Sequence, residues 1–147
     1  MLPTYFIYCR GTIPYGRYFR SNCSTKSQER TLLKYARKEG LHVKHVFTEI
    51  GLGIELERPI LCSMLHSIER GEADAILVCD FSRLTRNRME YVYFYDLLGR
   101  GVIKEIRTPY SAYTEKDARK FRREQSARRK KYASYIQRMK KFQMQSQ

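Results

Sequence analysis

Short apolar runs alternate with longer amphipathic ones along most of the chain. TYFIYC (4–9) and DAILVC (74–79) are apolar at successive positions, the pattern of strands covered on both faces in a parallel sheet. HVKHVFT (42–48) and VIKEIRT (102–108) predict two more strands. Helices are predicted between them. STKSQERTLLKYARKEG sets Leu32, Leu33, Tyr35 and Ala36 near helical spacing, with Thr25 and Gln28 as a capping box and Gly40 as the stop. ERPILCSMLHSIERG carries Pro59 in its first turn, runs an apolar face through Ile60, Leu61, Met64, Leu65 and Ile68, and stops at Gly71. A third helix, about 87–99, contains MEYVYFYDLL and stops at Gly99.

Parallel neighbours need helical crossovers, so this alternation predicts an α/β fold: a mostly parallel sheet of four or five strands flanked by helices. From about Thr114 onward the chain has no Pro or Gly and reads as one long helix. The expected organisation is an α/β domain over 1–113 and a basic C-terminal helix over 114–147, with no separate DNA-reading domain. Ala118, Phe121, Gln125, Arg128, Tyr132, Tyr135, Met139 and Phe142 step alternately by three and four, a heptad seam interrupted by Gln125 and Arg128. GTIPYGRYFRSNC (11–23) is polar and aromatic, with one Pro and two Gly, and is expected to be a loop over the end of the first strand.

Charge adds a partner to this picture. The 147 residues hold 29 Lys and Arg against 15 Asp and Glu, a net +14, and residues 116–147 alone account for +10. A polyanion is implied, nucleic acid first. Arg119, Lys120, Arg122, Arg123, Arg128, Arg129, Lys130 and Lys131 are the expected phosphate contacts, on a helix whose seam pairs with a second subunit. No apolar stretch approaches the roughly 18 residues of a membrane span and no signal peptide opens the chain, so a cytoplasmic protein without a membrane partner is expected. Cys9, Cys23, Cys62 and Cys79 lack C-x-x-C spacing and read as reduced thiols. His42 and His45 fall on opposite faces of an alternating strand, so no metal site is expected.

Ligands of such folds gather beyond the carboxyl ends of the strands, where Arg10 follows the first strand and Arg83 and Arg86 follow the third. Arginine suits a phosphodiester because its planar fork donates two parallel hydrogen bonds and keeps its charge. A purely structural cluster would instead need acidic partners, for which Asp80 and Glu49 are at hand. Y-C-R near the N-terminus, S-T-K-S-Q-E-R-T-L-L-K-Y-A, F-T-E-I-G-L-G-I-E-L-E-R-P-I-L-x-x-M-L and G-E-A-D-A-I-L-V-x-D-F-S-R-L-T-R-N then follow in order. Over about residues 4–107 this series closely resembles the catalytic domain of serine recombinases, the resolvase/invertase family.

The resemblance implies a metal-independent, cofactor-free DNA strand transferase. A hydroxyl attacks the scissile phosphate and retains the strand as a covalent ester, so that rejoining needs no ATP, while arginines neutralise the non-bridging oxygens. By position, Arg10 matches the first-strand arginine, Arg58 that of R-P, and Arg83 and Arg86 the pair of R-L-x-R; Glu49 stands where the family usually has Asp. The implied assembly is a homodimer, with a tetramer on DNA as a further stage. Three departures stand out. The family's R-V-S is here Arg10-Gly11-Thr12, which leaves Thr12 as the expected nucleophile with an added methyl that restricts χ1. Leu52 replaces a common Ser, and Ser82 replaces an acid. Gly11-Thr12, together with the expected lack of a separate DNA-reading domain, keeps a second reading open, a catalytically degenerate relative acting as an accessory or regulatory DNA-binding protein. A domain for RNA or a small phosphorylated ligand ranks last, because the chain has no Gly-rich phosphate loop and no RNP-type aromatic pattern.

Overall fold

The computed structural model describes residues 2–11, 24–51 and 58–145, with side chains to residue 141. Thr12, the remainder of the 11–23 loop with Cys23, and Leu52 lie outside the described residues. Ten elements follow in chain order: β1 Thr4–Gly11, α1 Thr25–Glu39, β2 His42–Ile50, α2 Pro59–Glu69, β3 Ala75–Leu77, α3 Phe81–Leu84, α4 Arg88–Gly99, β4 Glu105–Arg107, β5 Ala112–Tyr113 and α5 Glu115–Gln145. They form an α/β domain with a five-stranded sheet in the order β2-β1-β3-β4-β5. The first four strands are parallel and β5 closes antiparallel on β4. No helix among the described residues is long and apolar enough to cross a membrane.

Both faces of the sheet are covered, as the unbroken apolar runs require. Tyr5, Ile7 and Cys9 of β1, with Ala75 and Leu77 of β3, face Leu32 and Ala36 of α1. The alternate residues Phe6, Tyr8, Ile76, Val78 and Ile106 face α2 and α4 through Leu61, Met64, Phe94 and Leu97. Burying each such side chain contributes roughly 1.5–3 kcal/mol relative to exposure. Among the described residues, α1 therefore lies against one face, with α2 and α4 on the other. Ala118 brings the start of α5 onto that second side.

Several local readings are corrected. The N-cap of α1 is Ser24, whose Oγ accepts from Ser27 N at 3.1 Å, so Thr25 and Gln28 form no capping box. Gly40 does end the helix, in the left-handed conformation at φ 67. Ile60 is 38% exposed, and the small Ser67 takes a place on the buried face of α2 instead. α4 runs through Gly99, and the left-handed residue is Gly101 at φ 73. Val102 and Ile103 belong to that turn, their N–H groups bonding Leu97 O, so β4 begins only at Glu105. A register shift between Tyr5 and Phe6 sets His42 opposite Thr4 and His45 opposite Phe6. Those partners are two apart in β1, so the bulge places both histidines on one face, against the simple alternation.

Helix α5 has two regimes. Ala118 is buried and Phe121 stacks on Tyr95 of α4 with centroids 4.4 Å apart, but Tyr132, Tyr135 and Met139 are exposed. Gly99 allows the close approach of the two helices, since a Cβ there would lie 3.2 Å from Arg122 Nη2 and 3.6 Å from Ala118 Cβ. The seam read from the sequence thus packs on its own domain for about two turns. Beyond them its apolar positions face outward.

Candidate functional site

The carboxyl ends of β1 and β3 bring the first-strand and third-strand arginines together. Arg10 is completely buried, and its guanidinium donates to three backbone carbonyls: Nη1 to Gly51 O at 2.6 Å, Nε to Arg83 O at 3.0 Å and Nη2 to Ser82 O at 3.0 Å. It thereby ties the end of β1 to the segment after β2 and to α3. Burial pushes the Arg10 guanidinium down to about 10, and the nearby charges of Arg86, Arg58 and Arg83 push the same way. Four cations gather here. Arg83 turns back to donate from Nη1 to Arg10 O at 3.3 Å, and Arg86 is exposed at the rim.

Arg58 is held one layer below. It is the N-cap residue of α2, 5% exposed, and donates from Nη1 to the Tyr8 hydroxyl at 3.0 Å and from Nη2 to Leu84 O. Its guanidinium also lies 5.9 Å from the Tyr8 ring centroid, a cation–π contact. Its carboxylate partner is Glu90 of α4, at 3.8 Å, a residue the sequence reading did not single out. Glu90 is 2% exposed. One of its oxygens also accepts from the Thr85 hydroxyl, while Oε1 has no partner among the described residues.

Glu49 serves a different purpose from neutralising arginines. α2 has no side-chain cap of its own, and Glu49, near the end of β2, supplies one from outside the helix. Its Oε1 accepts from Ile60 N at 3.0 Å and its Oε2 from Leu61 N at 3.1 Å and the Tyr8 hydroxyl at 2.8 Å. A carboxylate at a helix N-terminus satisfies orphan N–H groups and meets the positive end of the dipole. Burial, together with the hydrogen bond to Glu49, pushes the Tyr8 hydroxyl far above its ordinary value. Asp80 likewise caps a helix, accepting from Ser82 N at 3.4 Å to start α3.

Gln28 is a neighbour of Arg10 that the sequence reading placed elsewhere. It is 2% exposed on α1, and its amide pairs with both backbone groups of one residue, accepting from Arg10 N at 3.2 Å and donating to Arg10 O at 2.9 Å. The pairing occurs where β3 has already ended, so a side chain continues the ladder that the strand leaves off. The signal was a polar residue on the buried side of an amphipathic helix, read instead as part of a cap. The basic side chains named on α5 are all exposed, and Arg119 pairs with Glu115 at 3.3 Å. They lie on a separate element from the arginine cluster.

A mostly parallel sheet with guanidinium groups gathered at its carboxyl edge defines the class, an α/β domain with an arginine cluster at the strand ends. Its family follows from comparison with known proteins. The family model described as Resolvase, N terminal domain, matches residues 6–122. The chain belongs to this family, the catalytic domains of serine recombinases. It is similar to the N-terminal catalytic domain of TP901-1 integrase, with 27% identity, TM-score 0.60, and coverage of 73% of this chain and 77% of that one. It is also similar to the C-terminal catalytic domain of ISC1926 TnpA, an IS607-like serine recombinase, with 25% identity, TM-score 0.57, and coverage of 71% and 68%. A resolvase family site-specific recombinase from Streptococcus pneumoniae shares the fold at 12% identity and TM-score 0.59, over 94% of this chain and 99% of that one.

Proposed function

We propose that this chain is a site-specific DNA recombinase domain that cleaves and rejoins DNA through a covalent hydroxyl–phosphate ester, with Thr12 as nucleophile. The observation that carries the reading is the gathering of Arg10, Arg58, Arg83 and Arg86 about the end of β1, where Arg10 and Arg83 bond each other's backbone carbonyls two residues before Thr12 in sequence, and where burial first and then the other three charges lower the Arg10 guanidinium. Arg58 has Glu90 beside it, but Arg10, Arg83 and Arg86 form no ion pair among the described residues, and a phosphodiester relieves the repulsion between such cations. Arg83 and Arg86, nearest the surface, hold the non-bridging oxygens. Arg10 and Arg58, already bonded to carbonyls, fix the floor on which they stand, and Glu49 holds Arg58 in place by capping α2.

In the cleavage step the Thr12 hydroxyl attacks phosphorus, its proton leaves, and one DNA strand departs as a free hydroxyl while the other stays esterified to Thr12. The reverse attack by a DNA hydroxyl rejoins the strand, so bond energy is conserved. α5 pairs with α5 of a second subunit through Tyr132, Tyr135 and Met139 and lays its arginines and lysines along phosphates. The division proposed is residues 1–113 for chemistry and 114–147 for assembly and DNA contact. Incubation with supercoiled and nicked duplexes, followed by denaturing electrophoresis, tests the chemistry. A DNA-linked protein band that Thr12→Ala abolishes is expected. If no band forms with the native chain but Thr12→Ser restores it, the chain is the degenerate, accessory relative. No band with either defeats the catalytic reading.

A further inference from the structure

Helix α1 carries a second basic surface that the site does not use. Lys26, Arg30, Lys34, Arg37 and Lys38 are all exposed, and at 100° per residue they fall within an arc of about 120° on the side away from the sheet. Lys26, Arg30, Lys34 and Lys38 succeed one another at i,i+4, a rise of about 6 Å each, over a track of about 18 Å. None of the five forms an ion pair among the described residues, and Glu29 and Glu39, the carboxylates of α1, hold none of them. Like charges at i,i+4 destabilise a helix, and a cation in the first turn opposes the dipole. The stripe therefore weakens the helix that bears it. Arg37 and Lys38 in the last turn suit the dipole, but among the described residues no carboxylate pairs with the stripe to offset its repulsion, which a polyanion would relieve.

The placement of α1 decides what the surface can do. α1 lies against the face of Tyr5, Ile7 and Leu77, while α2, α4 and the start of α5 lie on the other side of the sheet. Its first turn is at the site, because Gln28 bonds the backbone of Arg10, and the stripe leads away from there. α5 packs on α4 and β5, with Ala118 in the core on the other side of the sheet from α1.

We propose that the outer face of α1 is a second phosphodiester-binding surface, which takes a segment of duplex DNA other than the one lying on α5. This inference rests on the reading of DNA as substrate given above. It gives each subunit two grips on DNA, one on either side of the sheet, with the arginine cluster at the edge between them. Evenly spaced cations on flexible stems, mostly lysine point charges with the Arg30 fork among them, hold backbone and read no sequence.

The test uses the full chain and a fluorescent duplex of arbitrary sequence, titrated between about 50 and 200 mM salt. One variant combines Lys26→Gln, Arg30→Gln, Lys34→Gln and Lys38→Gln; a second combines Arg128→Gln, Arg129→Gln, Lys130→Gln and Lys131→Gln. The α1 variant is expected to flatten the slope of log affinity against log salt by about 3 to 4 and to bind about tenfold or more weakly. Its melting temperature should be no lower than the native value, because the repulsion is gone. The α5 variant should keep the part of the slope that α1 supplies. Native affinity and slope in the α1 variant, with binding lost in the α5 variant, overturn this inference and leave the proposed function standing. If the native chain itself fails to bind duplex, both readings fall. If the α1 substitutions weaken binding of an RNA of the same length and leave duplex DNA untouched, the surface belongs to another partner and the inference is wrong.

Discussion

Replacing Glu49 with Ala removes three acceptor interactions at once. Ile60 N–H, Leu61 N–H and the Tyr8 hydroxyl, bonded at 3.0, 3.1 and 2.8 Å, lose their partner in a place where Glu49 is only 7% exposed. A buried donor left unsatisfied costs about 1–3 kcal/mol, and the loss of a carboxylate at a helix N-terminus adds about 0.3–1 kcal/mol. Part of this is recovered if water enters beside Ile60, which is half-exposed. The expected destabilisation is therefore about 3–5 kcal/mol, a large share of the roughly 5–15 kcal/mol that holds an ordinary domain together. Glu49→Gln is the informative companion. Its single amide oxygen can serve some of the donors, but its NH2 faces donors elsewhere, so about 1–3 kcal/mol is expected. Urea unfolding followed by far-UV circular dichroism gives both numbers from the midpoint and slope. A Glu49→Ala chain within about 0.5 kcal/mol of the native one, or a Gln variant worse than the Ala variant, would show that the carboxylate does not cap α2.

Three more outcomes follow from the same geometry. Gln28→Leu, which keeps volume and removes both bonds to the Arg10 backbone, should destabilise by about 1–3 kcal/mol in the same urea assay and should lower DNA-adduct yield in protein that remains folded. Arg10→Lys cannot span the Gly51, Ser82 and Arg83 carbonyls with one ammonium, so about 2–4 kcal/mol should be lost even though the charge is kept. The Tyr5 hydroxyl, donating to Glu105 Oε1 at 2.6 Å, is raised from 10.0 to about 12, first by burial and then by Glu105. Its protonated form is the one favoured by folding, so its contribution is full below pH 10 and fades as pH climbs from about 10 to 12. Ultraviolet titration should show a late-ionising tyrosine that Tyr5→Phe removes, together with a falling urea midpoint. Simultaneous ionisation of all tyrosines in folded protein would contradict the burial.

The elements with strong periodicity were legible because tertiary packing agreed with local pattern. TYFIYC lies in β1, buried on both faces, and α2 begins at Pro59 as its missing N–H allows. β5 and α3 were invisible, since two and four residues are too few to carry a period and both depend on distant partners. The bulge in β2 was hidden for a related reason. A single extra residue changes which side chains share a face without altering composition. In the site, sequence order and motif spacing named the four arginines, but spacing does not say which of them is buried on carbonyls and which reaches the rim. Glu90 escaped notice and Gln28 was read as a cap because their partners, Arg58 and the Arg10 backbone, are remote in sequence. Glu49 was named by its position in the motif, yet its bonds to the first turn of α2 show only in three dimensions.

The central claim is that the arginines at the edge of the sheet hold a phosphodiester against the hydroxyl of Thr12. It is tested most directly by trapping the native chain on a nicked duplex, digesting the complex and identifying the DNA-bearing peptide by mass spectrometry. The account predicts a nucleotide phosphate on Thr12, and loss of that species in Arg83→Gln and Arg86→Gln chains that still fold. A phosphate ester on another side chain, or an undiminished yield without either arginine, would contradict it.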